Sequence, residues 1–172
     1  MCIRDRKYIK EWALADFTES DRKPGTGDPQ LGSRIFQEAQ CAKCHRLGRV
    51  GRAFGPDLTG VASRFRRDQI LVSIIEPSKQ ISSRFVHHVV VTREGRTHTG
   101  QLVWNGFRKS VVRLAPDPMQ MHKTIEISKH DIELQTESKI SPMPAGLMNT
   151  FNKQEILSLL AYLERGDQAE PH

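Results

Sequence analysis

The chain has 172 residues, of which 37% are hydrophobic and 27% charged, and a formal charge of +6. That length suffices for one domain, or for one domain carrying a sizeable insertion. No stretch approaches the ~20 apolar residues that cross a bilayer. The basic residues are not interleaved with stacking aromatics, which sets nucleic acid aside and leaves acidic partners or surfaces.

Met1 to Arg6 does not read like a signal peptide, since no apolar run and small-residue site follow it. These six residues read as a sequence-assembly artefact, so no chemistry is attached to Cys2. Lys7 to Phe17 places Tyr8, Ile9, Trp12 and Ala15 at helical spacing and predicts a helix. Thr18 to Gly27 is polar, with Pro24, Gly25 and Gly27, and reads as a linker. Residues 1–27 are therefore expected to be the end of an upstream region and its linker.

Asp28-Pro29 opens a helix, with a capping carboxylate followed by a proline whose missing N–H costs nothing in the first turn. Leu31, Ile35 and Phe36 form its apolar face, and it runs into Cys41. A glycine-rich irregular stretch follows from Leu47 to Gly60. Arg67 to Ile75 then predicts a short helix with Ile70, Leu71, Ile74 and Ile75 inward, stopped by Pro77.

Beyond it the apolar period changes from 3.6 to 2. Val86–Thr92, Thr97–Trp104, Lys109–Leu114 and Thr124–Ser128 read as strands, with Asp131–Gln135 as a fifth. Glu94-Gly95 and Asn105-Gly106 are turn signals. Ser141 to Met148 is an irregular loop with prolines on both sides of Met143. A last helix begins near Asn152, boxed by Glu155, lined by Ile156, Leu159, Leu160 and Leu163, and ended by Gly166.

Cys41-Ala-Lys-Cys44-His45 is the attachment motif of c-type haem. Two thiols three residues apart on one turn can reach the two vinyl groups on one edge of a haem, and the adjacent imidazole can ligate the iron. Three other readings compete. Zinc needs four ligands, and no second cysteine pair exists. A dithiol redox pair expects a βαβ setting, whereas here a helix precedes and a glycine loop follows. A chance match is the third. Support for haem comes from Gly55-Pro56-Asp57-Leu58, close enough to fold back on His45 with a Pro56 carbonyl that can fix the ring's other N–H. Methionines downstream offer a thioether, a neutral soft ligand that raises the potential. Met119 and Met121 belong to the strand-rich segment. Met148 has the neighbours of a core residue. Met143, stiffened by its two prolines, can be held across a haem face at little ordering cost.

Together, Gly32-x-x-x-Phe36, the Cys41–His45 motif, Gly55-Pro56-Asp57-Leu58, Met143-Pro144 and Leu160-Ala-Tyr162-Leu163 resemble a class I cytochrome c. GPDLTG, Glu76-Pro77-Ser78 and Ser-x-Met143-Pro-x-Gly-Leu resemble more narrowly the C-terminal haem-binding domain of large secreted planctomycete-type proteins. The resemblance covers about residues 28–165. It implies a mainly α cytochrome c fold of about four helices with a small antiparallel β insertion, α+β overall. One iron-bearing haem c would be held by Cys41 and Cys44, with His45 and Met143 as iron ligands and Pro56 behind His45. Gly32 and Phe36 would pack on Leu159 and Tyr162.

The expected parts are 28–83 (haem attachment), 84–136 (insertion), 137–166 (Met loop and last helix) and a tail at 167–172. The expected function is single-electron transfer by a carrier rather than an enzyme, with an acidic redox partner or a fused dehydrogenase, in a periplasmic or other extracytoplasmic place. An exported chain needs a leader, so the sequence reads as a piece of a longer protein. A haem enzyme or gas sensor with a displaceable sixth ligand, and a binding module in the insertion, are the rival readings.

His87, His88, His98, His122 and His130 read as polar-face residues rather than a second metal site, and Trp104 as a hairpin packing residue. Lys43, Arg46, Arg49, Arg52, Arg64, Arg66 and Arg67 face a single acid, Asp57, across residues 43–67. They read as a solvated surface, or as a positive collar that steers an acidic partner.

Overall fold

The structure is a computed structural model and describes residues 6–104, 106 and 109–166. Cys2, Asn105 of the second hairpin turn and the 167–172 tail lie outside them. The chain divides into two compact units, 1–79 with 144–172 and 80–143. The second is wider at both ends than the strand pattern of 84–136.

The first unit is built on three helices. In α1 (Pro29–Glu38) the Asp28 side chain accepts from the Gln30 N–H, as the Asp-Pro start requires. Helix α2 spans Arg67–Ile75, with Ile70 and Leu71 buried. Helix α3 spans Lys153–Arg165. Its Asn152 cap accepts from the Glu155 N–H (3.0 Å) while the Glu155 carboxylate accepts from the Asn152 N–H (2.8 Å). Helices α1 and α3 cross closely at Gly32. A Cβ there would lie 1.9 Å from the Ser158 carbonyl oxygen and 2.7 Å from Tyr162 Cβ. Beside it the Phe36 and Tyr162 rings meet at 5.7 Å. Ile35, Phe36, Leu71, Met148, Phe151, Ile156 and Leu160 are sealed in the core they enclose.

The helix expected at 7–17 does not form; only Leu14–Asp16 makes a short turn. The donors of this stretch go elsewhere: the Ile9 and Lys10 N–H groups both donate to the Asn149 carbonyl. Tyr8 and Ile9, two of the helical apolar positions, are exposed. An isolated helix of this length is marginal without a buried face. The segment is nonetheless part of the unit, because Phe17 is 2% exposed within the core and Trp12 packs against it. The polar stretch after it is tied down by Arg67, whose buried guanidinium donates to the Asp21 and Thr26 carbonyls, the Leu157 carbonyl and the Glu164 carboxylate. Arg67 is thus an internal strut and leaves the surface collar expected from the sequence.

A small hairpin, β1 (Arg46–Leu47) and β2 (Val50–Gly51), follows α1. The second unit is a five-stranded antiparallel sheet: β3 (His87–Thr92), β4 (Thr97–Leu102), β5 (Val111–Ala115), β6 (Ile125–Ser128) and β7 (Ile132–Glu137), in the order β6-β5-β4-β3-β7. Alternate positions close a core of Val90, Val112, Leu114 and Ile127. The β3–β4 turn is the expected one, with Gly95 at φ +79° and its N–H donating to the Thr92 carbonyl. Trp104 is 79% exposed, and its ring lies beside Gly106 of the second turn, where an added Cβ would come within 3.8 Å of it. The architecture is α+β, with strand about as abundant as helix rather than mainly α.

Candidate functional site

Cys41 lies three residues beyond the end of α1 at Glu38, not on the helix that was expected to run into it. Gln40 takes a left-handed conformation (φ 62°), which turns the chain into a single tight turn over Cys41–Lys43. The Cys44 and His45 N–H groups both donate back to the Cys41 carbonyl, at 3.1 and 2.8 Å. Cysteine, cysteine and histidine are therefore presented from one short rigid turn, and Cys41 and Ala42 rest against the core of the unit.

The loop after His45 is laced to this turn. The Phe54 and Gly55 N–H groups donate to the Cys44 carbonyl, and the Arg52 N–H to the carbonyls of Ala42 and His45. Gly51 (φ +89°) permits that approach; a Cβ on it would lie 2.1 Å from the His45 carbonyl oxygen. At Gly55 a Cβ would come within 3.0 Å of His45 Cε1, so the backbone presses on the imidazole ring.

The next residue sets the ring. His45 Nδ1 lies 2.7 Å from the Pro56 carbonyl oxygen. A carbonyl can only accept, so Nδ1 carries the proton and Nε2 keeps its lone pair. Burial lowers the His45 pKa while the Pro56 carbonyl works the other way. A neutral ring with Nδ1–H tied to a carbonyl is the form in which imidazole ligates a metal.

Asp57, Leu58 and Thr59 hold Pro56 in place. The Asp57 carboxylate accepts from the Thr59 N–H (2.8 Å) and pairs with Arg46 (2.5 Å), while the Thr59 hydroxyl accepts from the Gly48 N–H. The Thr59 hydrogen bonds, with Arg46, hold the Asp57 carboxyl well below the usual carboxylate range. The Leu58 N–H donates to the Arg46 carbonyl and its side chain packs on the core. Sequence reasoning missed the parts played by Gly51 and Thr59. Thr59 stood in the same GPDLTG phrase, but its partner Gly48 is a contact no spacing signals.

Residues 29–98 match the family model of cytochrome c. The match runs from α1 through α2 into the sheet, and stops before Met143 and α3. No curated protein matches the chain. Cytochrome c domains bind haem c with iron and are in general electron carriers rather than enzymes. The cofactor of this domain is haem c, and an electron carrier of this kind works with a redox partner. Cytochrome c domains are typically extracytoplasmic, and among the described residues no helix is long and apolar enough to cross a membrane.

The chemistry of the donor set in this turn and loop fits that group. Cys41 and Cys44 carry thiols rather than a disulfide. Burial pushes the Cys41 thiol up to about 12, and the neighbouring Cys44 adds to the rise. A redox dithiol needs the opposite, a thiol whose pKa is lowered. Among the described residues no three His, Cys, Asp or Glu side chains gather as a metal cluster, the strand histidines included. Met148 is 2% exposed and belongs to the core. Met143 is partly buried, in a stretch where its own N–H donates to the Ser141 hydroxyl. Of the seven clustered cations, Arg46 and Arg66 pair with Asp57 and Asp68, and Arg67 is buried. Lys43, Arg49, Arg52 and Arg64 are exposed and take part in none of the ion pairs among the described residues.

Proposed function

We propose that residues 28–166 form a class I cytochrome c unit interrupted by the five-stranded sheet, and that it transfers single electrons. Cys41 and Cys44 are the thioether anchors, His45 the proximal ligand with Pro56 orienting it, and Met143 the distal ligand. The bond between His45 Nδ1 and the Pro56 carbonyl carries this reading, because it leaves Nε2 as the one imidazole nitrogen available to iron.

When bound, the haem iron supplies a one-electron couple, and a thioether ligand biases that couple toward the ferrous form. The rest is the work of the chain. Gly51 and Gly55 let the loop close on the Cys41–His45 turn. Asp57 and Thr59 keep Pro56 at its carbonyl-to-imidazole distance. Pro142 and Pro144 stiffen the segment around Met143 and keep its thioether from being drawn into a helix. Lys43, Arg49, Arg52 and Arg64 form a positive surface that favours an acidic docking face on the redox partner or on a fused dehydrogenase. The working place is periplasmic or otherwise outside the cytoplasm, and the parent protein is of the large secreted planctomycete type.

Attachment is the first test. Expressed with haem-maturation machinery, the protein should keep its haem through denaturation and acid-acetone extraction. A mass equal to the bare polypeptide, or haem released to the organic phase, overturns the reading. Met143→Ala should abolish the weak sulfur-to-iron charge-transfer band of the oxidised protein and lower its potential. A band that survives this change removes Met143 as the ligand.

A further inference from the structure

The stretch expected as an N-terminal helix makes a different structure, and its hydrogen bonds converge on one place. The N–H groups of Ile9 and Lys10 reach the Asn149 carbonyl at 2.8 and 3.3 Å. The indole N–H of Trp12 reaches the Phe151 carbonyl at 3.0 Å. Residues 146–151, which they hold, are two successive tight turns. The Asn149 N–H donates to the Gly146 carbonyl and the Phe151 N–H to the Met148 carbonyl, each at 3.0 Å. The turns use the carbonyls of 146 and 148; the strap takes those of 149 and 151. Backbone acceptors are thus satisfied in alternation from within and from without. On the inner side Met148 and Phe151 are buried at 2% and 0%. On the outer side Trp12 packs on Phe17 at 5.5 Å, and Lys153 lies over the Phe17 ring and reaches the Asp21 carboxylate.

We propose that residues 9–17 are a strap that immobilises the 146–151 turns, and that Trp12 is a positioning residue for the distal ligand. This rests on Met143 as that ligand. A thioether binds oxidised iron weakly, so its retention depends on how little freedom the chain carrying it would gain by letting go. The turns at 146–151 are the first fixed structure after Met143. Loosening them lengthens the free tether and favours competing ligands.

The test uses the oxidised holoprotein. The charge-transfer band is followed as pH is raised, and amide exchange is followed at 146–151. Trp12→Phe keeps a ring against Phe17 and removes the indole N–H together with part of the ring. It should lower the pH midpoint for loss of the band by about half to one unit, the roughly three- to tenfold effect of one hydrogen bond. Exchange at 146–151 should quicken by a similar factor while haem attachment is unchanged. Ile35→Val, a core truncation in α1, supplies the comparison: it should lower thermal stability without moving the midpoint. An unmoved midpoint and unmoved exchange in Trp12→Phe overturn the proposal. So does a midpoint that moves as far in Ile35→Val as in Trp12→Phe at equal loss of stability. Wild type without the band, or a band that survives Met143→Ala, overturns the ligand assignment itself and this inference with it.

Discussion

Gly32→Ala is the sharpest test of the helix crossing from which the Cys41–His45 turn continues. The added Cβ would sit 1.9 Å from the Ser158 carbonyl oxygen and 2.6 Å from its carbon, both backbone atoms that cannot swing aside. Restoring ordinary contact parts α1 from α3 by about 1.5 Å at this point, and a gap of even 0.5–1 Å forfeits roughly a quarter to a half of a contact's dispersion energy. Ile35, Phe36, Leu159 and Tyr162 are the core side chains at stake, all at most 4% exposed. At about 2 kcal/mol each for burial, losing that fraction amounts to about 2–4 kcal/mol. For a chain of this size Tm should fall by roughly 4–16 °C. Thermal unfolding followed by far-UV circular dichroism and by haem absorbance reads it directly. A fall of under about 2 °C would refute the reasoning, since it would mean that the helices part without loss of packing.

Met148→Ala should keep the charge-transfer band and cost about 2–5 kcal/mol in denaturant unfolding, because its side chain is in the core. Charge reversal at Arg49 and Arg52 should slow electron exchange with an acidic redox protein and flatten its salt dependence, measured by stopped flow at several ionic strengths. The Asp57 carboxyl is held below its ordinary value of 3.8, so its contribution to stability is full above that pH and fades as pH falls through the lowered value. Asp57→Asn should therefore flatten the acid limb of a urea-unfolding profile below about pH 4.

Much of this was legible because the signals were local. Asp28-Pro29, Asn152 with Glu155, and the Arg67–Ile75 periodicity mark helices whose starts the structure reproduces, although α1 stops at Glu38 instead of running into Cys41, because Gln40 turns left-handed; the switch to period 2 marks the sheet. The Cys41–His45 turn and the Pro56 carbonyl were legible for the same reason: the partners are close in sequence. What escaped depended on distant partners. Trp12 finds the Phe151 carbonyl and Arg67 finds Glu164. Neither pairing has a sequence period, and the same residues read naturally as a helix face and a surface charge.

The first unit is assembled from both ends of the chain, with the whole sheet between its halves. Order of emergence therefore matters. When the Cys41–His45 turn emerges, α1 has no α3 to pack on, because all of residues 46–152, the sheet included, come before α3 (Lys153–Arg165). The sheet, whose strands are joined mainly by neighbouring hairpins, can form in that interval. The core of the first unit closes last, when α3 arrives. Until then Cys41, Cys44 and His45 stand on an open, accessible fragment, the state in which an attachment machinery can reach both thiols.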